Sequence, residues 1–235
     1  MGNQPLVNAM NKTLVFLCSG GGGNLRFIHK AIHENWISRW GKVVVIADRE
    51  CPAISYARKE GLDNFILDFK EPEQIALTQL ASSLEPDLII TTVHRILCNS
   101  FLKHFDSRLL NLHYSLLPGF SGSIGNTPVQ DAQNYGSCLI GATVHAVTEV
   151  VDGGRPQVQI ALPVSRVDTN EDAMDLTFRA GCFALLTALK IAEDPDPEPS
   201  IGSYLMINKR PALINPSVMY PQELSRESFW VELKS

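Results

Sequence analysis

Short apolar runs alternate with stretches of helical periodicity through the first half of the chain. Five runs predict buried strands, at residues 13–18, 42–47, 65–68, 87–92 and 109–113. After the first run, Leu25, Ile28 and Ile32 recur at spacings of three and four, which predicts an amphipathic helix. Residues 53–59 and 74–84 show the same period more weakly. Strands that alternate with helices in this way predict a parallel sheet with right-handed crossovers.

The pattern changes in the second half of the chain. Residues 138–147 and 157–164 are longer strand-like runs on either side of a glycine-rich loop, which is typical of an antiparallel extension. Residues 173–191 predict one long helix, and residues 204–207 and 212–214 predict a terminal hairpin. The expected fold class is therefore α/β, with a Rossmann-type, doubly wound, mostly parallel sheet and an antiparallel C-terminal extension.

Three segments are expected along the chain. Residues 1–12 are polar and irregular and predict a lead-in, and residues 13–192 predict one domain of ordinary size. Residues 193–235 predict a proline-rich linker and a tail that includes the hairpin. The linker rests on the Asp-Pro-Asp-Pro-Glu-Pro run at residues 194–199, because proline fixes φ and cannot continue a helix.

The composition excludes several classes of protein. The chain has 235 residues, of which 45% are hydrophobic and 19% charged, as in a soluble globular protein. Its net charge of −5 argues against a general nucleic-acid binder, although backbone amides can still bind a small anion. No apolar run is long enough to span a membrane, and the N-terminus has no basic region followed by a hydrophobic stretch. A cytoplasmic protein is expected.

The cysteines and one pair of histidines are the residues that could hold a metal. The five cysteines are widely spaced and odd in number, so reduced, mostly buried thiols are expected rather than disulfides or a thiolate zinc site. His29 and His33 are four residues apart on a predicted helix, a spacing that could hold a metal, but no third ligand accompanies them. Solvent-facing histidines are the better interpretation, and no metal is expected.

Three polar residues are the strongest candidates for chemistry. Asn111 and His113 are two residues apart in a strand-like run, so both side chains are expected on the same face of the sheet. Asp152 is followed by two glycines, on a loop that can approach closely. An amide donor, an imidazole and a carboxylate together could hold an oxyanion and move a proton. The alternative is an ordinary core asparagine and histidine at a strand end.

The glycine-rich turn at residues 20–23 follows the first strand. The turn could indicate a dinucleotide site with Asp48 as ribose acceptor, but the third glycine of Gly-x-Gly-x-x-Gly falls on Leu25. A strand, a glycine turn and a helix N-terminus favour an anion site at Gly22, Gly23 and Asn24, with Asn24 also expected to cap the helix. A turn that merely needs positive φ is the simpler alternative.

The segments around these residues resemble the folate-dependent formyltransferases. Residues 111–118 read Asn-Leu-His-Tyr-Ser-Leu-Leu-Pro, similar to that family's Asn-x-His-x-Ser-Leu-Leu-Pro, and residues 152–154 match its later Asp-Gly-Gly. The resemblance spans residues 13–190 and implies a formyltransferase-like fold. It also implies transfer of a formyl group from 10-formyltetrahydrofolate, as co-substrate, to a primary amine. The most similar branch acts on 5′-phosphoribosylglycinamide in purine biosynthesis.

The resemblance assigns roles to individual residues. Asn111 would donate to the oxyanion, His113 would move the proton, and Asp152 would favour the protonated imidazole. The folate would contact His94, Arg95, Ile96, Leu97, Asn111, Thr148, Glu149, Val150, Val151 and Asp152. The acceptor would contact Gly22, Gly23 and Asn24 through its phosphate, and Glu171 and Asp172 through its ribose and amine. His145 is expected either to support the site or to be a satisfied core histidine.

The chain also departs from the family pattern. His94 stands where the family has methionine, Gly23 replaces a serine, and residues 122–128 replace a His-Thr-His-Arg segment on the acceptor side. The alternatives are a 10-formyltetrahydrofolate deformylase, favoured by the Leu-Ile-Gly-Ala-Thr-Val-His segment at residues 139–145, and a formyltransferase for an amino sugar or another amine. Two alternatives from a different class are a nucleotide-binding oxidoreductase and a non-catalytic binding module. Either would use only the glycine turn.

The expected partners follow from these interpretations. The substrate is expected to be a small amine that carries a phosphate, with no nucleic acid and no membrane among the partners. The assembly is expected to be a monomer or a homodimer. The tRNA-acting formyltransferases are disfavoured, because they add a large basic C-terminal domain and the tail here is short and acidic.

Overall fold

The computed structural model describes residues 12–193 and 202–234. Most of the expected lead-in and the proline-rich run lie outside the described residues. The strands are β1 Lys12–Cys18, β2 Trp40–Ala47, β3 Asp63–Ile66, β4 Leu88–Thr92, β5 Leu109–His113, β6 Leu139–Ala146, β7 Pro156–Pro163, β8 Ser203–Ile207 and β9 Arg210–Asn215. The helices are α1 Gly23–His33, α2 Pro52–Lys59, α3 Ile75–Ser83, α4 Asn99–His104, α5 Thr127–Tyr135, α6 Asn170–Glu193 and α7 Glu227–Lys234.

All nine strands of the described residues form one sheet, in the order β3-β2-β1-β4-β5-β6-β7-β9-β8. Strands β1 to β5 are parallel, and β6 to β9 are antiparallel to their neighbours. The chain leaves the β3 edge and returns beside β1, so the sheet changes winding direction between β1 and β4. Ligands of open α/β sheets bind at such a switch point. The expected fold class, with its antiparallel extension, is confirmed.

Helices cover both faces of the sheet because side chains of the parallel strands point alternately to each side. Leu14 and Phe16 of β1 face the layer that contains α1, α2, α6 and α7. Val15 and Leu17 face the opposite layer, which contains α3 and α4. The near-continuous apolar runs of the central strands are thus explained by burial on two sides. None of the helices in the described part of the chain is long and apolar enough to cross a membrane.

The start of α1 corrects the expectation that Asn24 caps this helix. The N-cap is Gly22, with φ +71°, and no side chain caps the helix. Asn24 is already inside α1, where its Oδ1 accepts a hydrogen bond of 3.1 Å from the Tyr114 hydroxyl. Glycine takes the cap position because a left-handed backbone is required there, and an added Cβ would also lie 2.8 Å from Cα of Ala53.

The C-terminal hairpin forms, and it continues the main sheet. Strands β8 and β9 pair with each other, and β9 pairs with β7 through residues 213–215. Three helices were not expected from periodicity, namely α4, α5 and α7, since each spans only six to nine residues and its apolar positions face partners distant in sequence. Among the five cysteines only Cys18 and Cys182 are buried, and Cys138 is exposed, so the expectation of mostly buried thiols is wrong.

Candidate active site

Three segments meet at one edge of the sheet because the carboxyl ends of parallel strands are aligned. Cys18 at the end of β1 lies beside Thr92 at the end of β4, and Thr91 lies beside Asn111 of β5. The glycine turn, the loop after β4 and the polar end of β5 therefore open onto the same space. A cavity of ≈ 940 Å³ occupies this position, and Asn111, His113 and Asp152 all line it.

Asn111 and His145 lie directly opposite each other in the antiparallel pair β5–β6. Asn111 Nδ2 is 3.1 Å from His145 Nε2, while His145 Nδ1 is 2.8 Å from the Ala146 carbonyl oxygen. Because a carbonyl only accepts, Nδ1 of His145 carries a proton, and Nε2, when unprotonated, accepts one amide hydrogen of Asn111. The second hydrogen of that amide is then the one that can donate to an oxyanion in the cavity.

His113 is 5% exposed, and both nitrogens of its ring have a partner. Its Nε2 donates to the carbonyl oxygen of Phe120 at 3.1 Å, and its Nδ1 lies 3.5 Å from Asp152 Oδ2. Burial lowers the pKa of His113, and this outweighs the opposite effects of Asp152 and the Phe120 hydrogen bond. The expectation that Asp152 favours the protonated ring is correct for that contact alone, but the net pKa lies below its ordinary value.

Asp152 is ionised in the site. Burial raises the pKa of this carboxyl, but His145, the Gly122 N–H and His113 together lower it below its usual value. Its Oδ2 accepts a hydrogen bond of 2.7 Å from Gly122 N, and its Oδ1 lies 3.5 Å from His145 Nε2. The carboxylate therefore contacts both histidines, and a proton that arrives on either ring is stabilised.

The loop that carries Asp152 depends on the glycines that follow it. Asp152 itself has φ 52°, an uncommon conformation for a residue with a side chain. A Cβ added at Gly154 would lie 1.7 Å from the Ala146 carbonyl oxygen, so no other residue fits at this close approach. Gly154 is thus the glycine that lets the loop approach the end of β6 closely.

A polar network under the site orients the segment that meets His113. Thr143 is 0% exposed; its Oγ1 donates to the Ser115 carbonyl at 2.7 Å and accepts from Leu117 N at 3.2 Å. Gln159 Nε2 donates to the Leu117 carbonyl at 3.0 Å. These bonds set the path of the chain towards Phe120, whose carbonyl accepts from His113. Thr143 alternates with His145 along β6, a pattern that could have identified it in the sequence.

The glycine turn forms one end of the cavity. Gly22, Gly23 and Asn24 line it, and they form the N-terminus of α1, where amide N–H groups and the helix dipole favour an anion. A Cβ added at Gly23 would lie 2.8 Å from Cε2 of Phe178, a residue of α6. The phenyl ring thus occupies the space that a serine side chain at this position would need.

The loops after β4 and β6 form another part of the cavity wall. All ten residues expected to contact folate line the cavity, and among them Ile96, Val150 and Val151 are 77%, 68% and 53% exposed. Buried Gln74 was missed in the sequence and positions this wall. Its Nε2 donates to the Ile96 carbonyl at 3.0 Å, and its Oε1 accepts from Cys98 N at 2.9 Å. An exposed apolar wall held by backbone contacts suits a flat ring system such as a pterin.

Two of the positions that depart from the family pattern, His94 and the segment at residues 122–128, contact each other. A Cβ added at Gly125 would lie 3.4 Å from His94 Nε2, so this glycine lies against the histidine ring. The same departing segment supplies the Gly122 N–H that binds Asp152. The segment therefore takes part in the site, because it closes over Asp152 and supports His94.

Some candidates are not brought to the cavity. Glu171 and Asp172 do not line it, and Asp172 instead accepts hydrogen bonds from the backbone and hydroxyl of Thr169 at the start of α6. Asp48, the ribose acceptor of the dinucleotide alternative, does not line it either and lies 3.1 Å from Arg49 Nε. His29 is half-buried rather than solvent-facing, with Nδ1 2.8 Å from the Tyr56 hydroxyl oxygen. No group of three or more potential metal-binding side chains occurs within residues 12–193 and 202–234.

Comparisons with known proteins agree with this geometry. The family model described as formyl transferase matches residues 12–189, which include the glycine turn, the β4 loop, Asn111, His113 and Asp152. A phosphoribosylglycinamide formyltransferase of Mycobacterium tuberculosis is 36% identical over 185 residues, covering 75% of this chain and 84% of the relative. The enzyme of the same name from Escherichia coli is 32% identical over 165 residues, covering 68% of this chain and 76% of the relative.

A solved structure shows the same architecture. Glycinamide ribonucleotide transformylase 1 from Symbiobacterium toebii superimposes with a TM-score of 0.72 at 28% identity. The match covers 86% of this chain and 94% of that one, so the similarity includes strands from both halves of the sheet.

Proposed function

Since this chain belongs to the formyl transferase family, we propose that it transfers the formyl group of 10-formyltetrahydrofolate to the primary amine of 5′-phosphoribosylglycinamide, in purine biosynthesis. The chain is a formyltransferase by family, and the proposal concerns the donor, the acceptor and the residues that act on them. The observation that carries it is the meeting of Asn111, His113 and Asp152 in one cavity.

Formyl transfer places two demands on the protein. An oxyanion develops on the formyl oxygen when the amine attacks, and a proton must then move from the attacking to the leaving nitrogen. Asn111 donates to the oxyanion with the amide hydrogen that His145 does not use; one such donor is worth about 10² to 10³ in rate. His113 moves the proton, a role worth about 10² to 10⁴.

Because its pKa is lowered, His113 is neutral before the reaction begins. A neutral imidazole can accept the proton of the attacking amine, which a cationic one could not do. The ionised Asp152 then stabilises the imidazolium that forms, since Nδ1 and Oδ2 are 3.5 Å apart. The Phe120 carbonyl accepts a hydrogen bond from Nε2 at 3.1 Å. When His113 acts, the neutral ring carries its proton on Nδ1, facing Asp152, and the free electron pair at Nε2 takes the proton of the amine.

The two ends of the cavity suit two different ligands. The apolar wall at Ile96, Val150 and Val151 fits the pterin of the folate, which supplies the formyl group when bound. The glycine turn and the start of α1 fit the phosphate of the acceptor, because amide N–H groups and the helix dipole favour an anion there. Asn111, His113 and Asp152 line the same cavity, where the formyl carbon and the amine must meet.

A formyl-transfer assay tests the proposal. The full chain is incubated with 10-formyltetrahydrofolate and a panel of amines: phosphoribosylglycinamide, glycinamide, an amino sugar and an amino sugar phosphate, with water as the blank. We expect transfer to phosphoribosylglycinamide with the highest kcat/KM. Formate release in the blank at a rate that matches transfer would overturn the proposal in favour of a deformylase, and preference for an amino sugar would overturn the acceptor.

A further inference from the structure

Helix α7 lies outside the segment matched by the family model but reaches the active-site cavity. The match ends at residue 189, whereas Leu233 and Lys234 line the same cavity as Gly20 and Gly23. The cavity wall at the glycine turn is therefore built partly by a segment that is distant in sequence from the turn and from the catalytic residues.

The packing around Trp230 holds α7 in this position. Its indole stacks on Phe27 of α1, with ring centroids 5.8 Å apart and an interplanar angle of 4°. At the start of the helix, Glu227 accepts hydrogen bonds of 2.7 and 2.5 Å from the Arg179 guanidinium of α6. Aromatic stacking and a bidentate ion pair fix the helix between α1 and α6. Lys234 follows Trp230 by four residues and so lies on the same face of α7.

Phe178 connects α7 with the glycine turn. Its ring packs edge-on against Trp230, with centroids 6.4 Å apart, and it also fills the space beside Gly23. No side chain fits at Gly23 while the ring is there, so the turn offers an anion only its backbone amides. Any side-chain cation for that anion must come from beyond the four glycines, either later in α1 or from another element.

Lys234 and Arg26 are the cations placed to do this. Both line the cavity, and Arg26 follows Gly23 by three residues on the same face of α1. Arg26 Nε is buried and makes no hydrogen bond within the described residues. The Lys234 side chain is 51% exposed and its Nζ contacts Asp175 Oδ1.

Asp175 has other partners besides Lys234. Its Oδ2 lies 2.8 Å from Arg179 Nε and 3.4 Å from Asn208 Nδ2, so the carboxylate remains paired when the lysine turns towards the cavity. The contact with Asp175 therefore leaves the ammonium able to move towards an anion in the cavity that Lys234 lines.

We propose that Lys234, carried into the site by α7, binds the phosphate of the acceptor together with the amides of the glycine turn. This inference rests on the proposed function, because it names a residue that selects a phosphorylated amine in the same cavity. Lys234 is a binding and specificity residue: it lies at the phosphate end, and it acts on affinity for the acceptor rather than on proton transfer.

The test compares Lys234→Ala and Lys234→Arg with the matched control Lys42→Ala. Lys42 is 50% exposed and also pairs with an aspartate, its Nζ lying 3.2 Å from Asp63 Oδ2, but it lies far from the cavity on β2. We expect Lys234→Ala to raise the KM for phosphoribosylglycinamide about tenfold, the value of a charge-assisted hydrogen bond. The kcat and the KM for the formyl donor should stay within about twofold, Lys234→Arg should recover most of the affinity, and Lys42→Ala should behave as wild type.

A second measurement separates this inference from the proposed function. Inorganic phosphate is titrated into each full-length variant while the amide signals of Gly22, Gly23 and Asn24 are followed by NMR. Weaker phosphate binding in Lys234→Ala, with wild-type binding in Lys42→Ala, supports the inference without any activity. Unchanged phosphate affinity and unchanged acceptor KM in Lys234→Ala would overturn it even if wild-type transfer is active. Inactivity of the wild type with every amine would instead overturn the proposed function.

Discussion

The Nδ1 atom of His113 lies 3.5 Å from Oδ2 of Asp152, with both side chains less than one-tenth exposed. At this separation a neutral imidazole faces an ionised carboxylate, because burial lowers the pKa of His113 while its contacts lower the pKa of Asp152. The pair is prepared to receive a proton rather than to hold one.

Replacing His113 by alanine should lower kcat by about 10² to 10⁴ and leave the affinity for folate within a few-fold. The apolar wall of the cavity is formed by residues 94–97 and 148–151, so loss of the imidazole does not remove it. Steady-state kinetics and folate titration measure both effects. The exposed His104→Ala is the control. Near-native turnover in His113→Ala would show that the ring is structural.

Asp152→Asn should lower kcat about 10- to 100-fold, since the imidazolium loses its carboxylate partner. Asparagine can still accept the Gly122 N–H, so the loop should keep its path. Asp106→Asn is a matched control, because Asp106 also accepts a backbone N–H, from Ser107 at 2.9 Å. A loss of folate affinity as large as the loss of kcat would contradict the assigned role.

The lowered pKa of His113 predicts a pH-dependent stability. The unfolded chain binds a proton at this residue near the ordinary pKa of 6.5, whereas the folded chain binds it only at lower pH. The unfolded state therefore holds more protons between the two values. The contribution is fully present above 6.5 and is lost as the pH falls through the folded pKa.

Urea unfolding of wild type and His113→Gln from about pH 7.5 to about pH 5 measures this contribution. Wild type should lose more unfolding free energy over the range than His113→Gln does. His33→Gln, at an exposed position on α1, should follow the wild-type curve. Parallel curves for wild type and His113→Gln would contradict the prediction.

Gln74→Met should weaken the folate end of the cavity. Methionine has a similar volume but cannot bond the Phe69 and Ile96 carbonyls or the Cys98 N–H. We expect the free energy of unfolding to fall by about 1–3 kcal/mol and the KM for the formyl donor to rise. Gln157→Met, at an exposed position of β7, should change neither. An unchanged donor KM would show that the loop after β4 does not need this support.

Gly154→Ala should destabilise the Asp152 loop, because its Cβ would lie 1.7 Å from the Ala146 carbonyl oxygen. Overpacking of this kind costs about 1–3 kcal/mol, and we also expect lower kcat as Asp152 moves. Gly21→Ala is the stability control, since nothing lies within 4 Å of its Cβ. Equal unfolding free energies for the two variants would contradict the close approach at Gly154.

The amino-acid sequence by itself determined the features that depend on local periodicity. Alternation within β5 put Asn111 and His113 on one face, and the order of strand, glycine turn and helix located the cavity at the carboxyl edge of the sheet. Helices α4, α5 and α7 were missed because they are short and their apolar residues pack against distant elements.

The tertiary structure alone decided which side chains meet and in what charge state. The antiparallel register of β5 and β6 sets His145 against Asn111, and the packing of α7 places Lys234 in the wall of the same cavity as the glycine turn. Burial reverses the pKa shift that the Asp152 contact alone would give His113. The register of β5 and β6, the packing of α7 and the desolvation of His113 all depend on residues far apart in the chain. A local sequence pattern therefore cannot predict them.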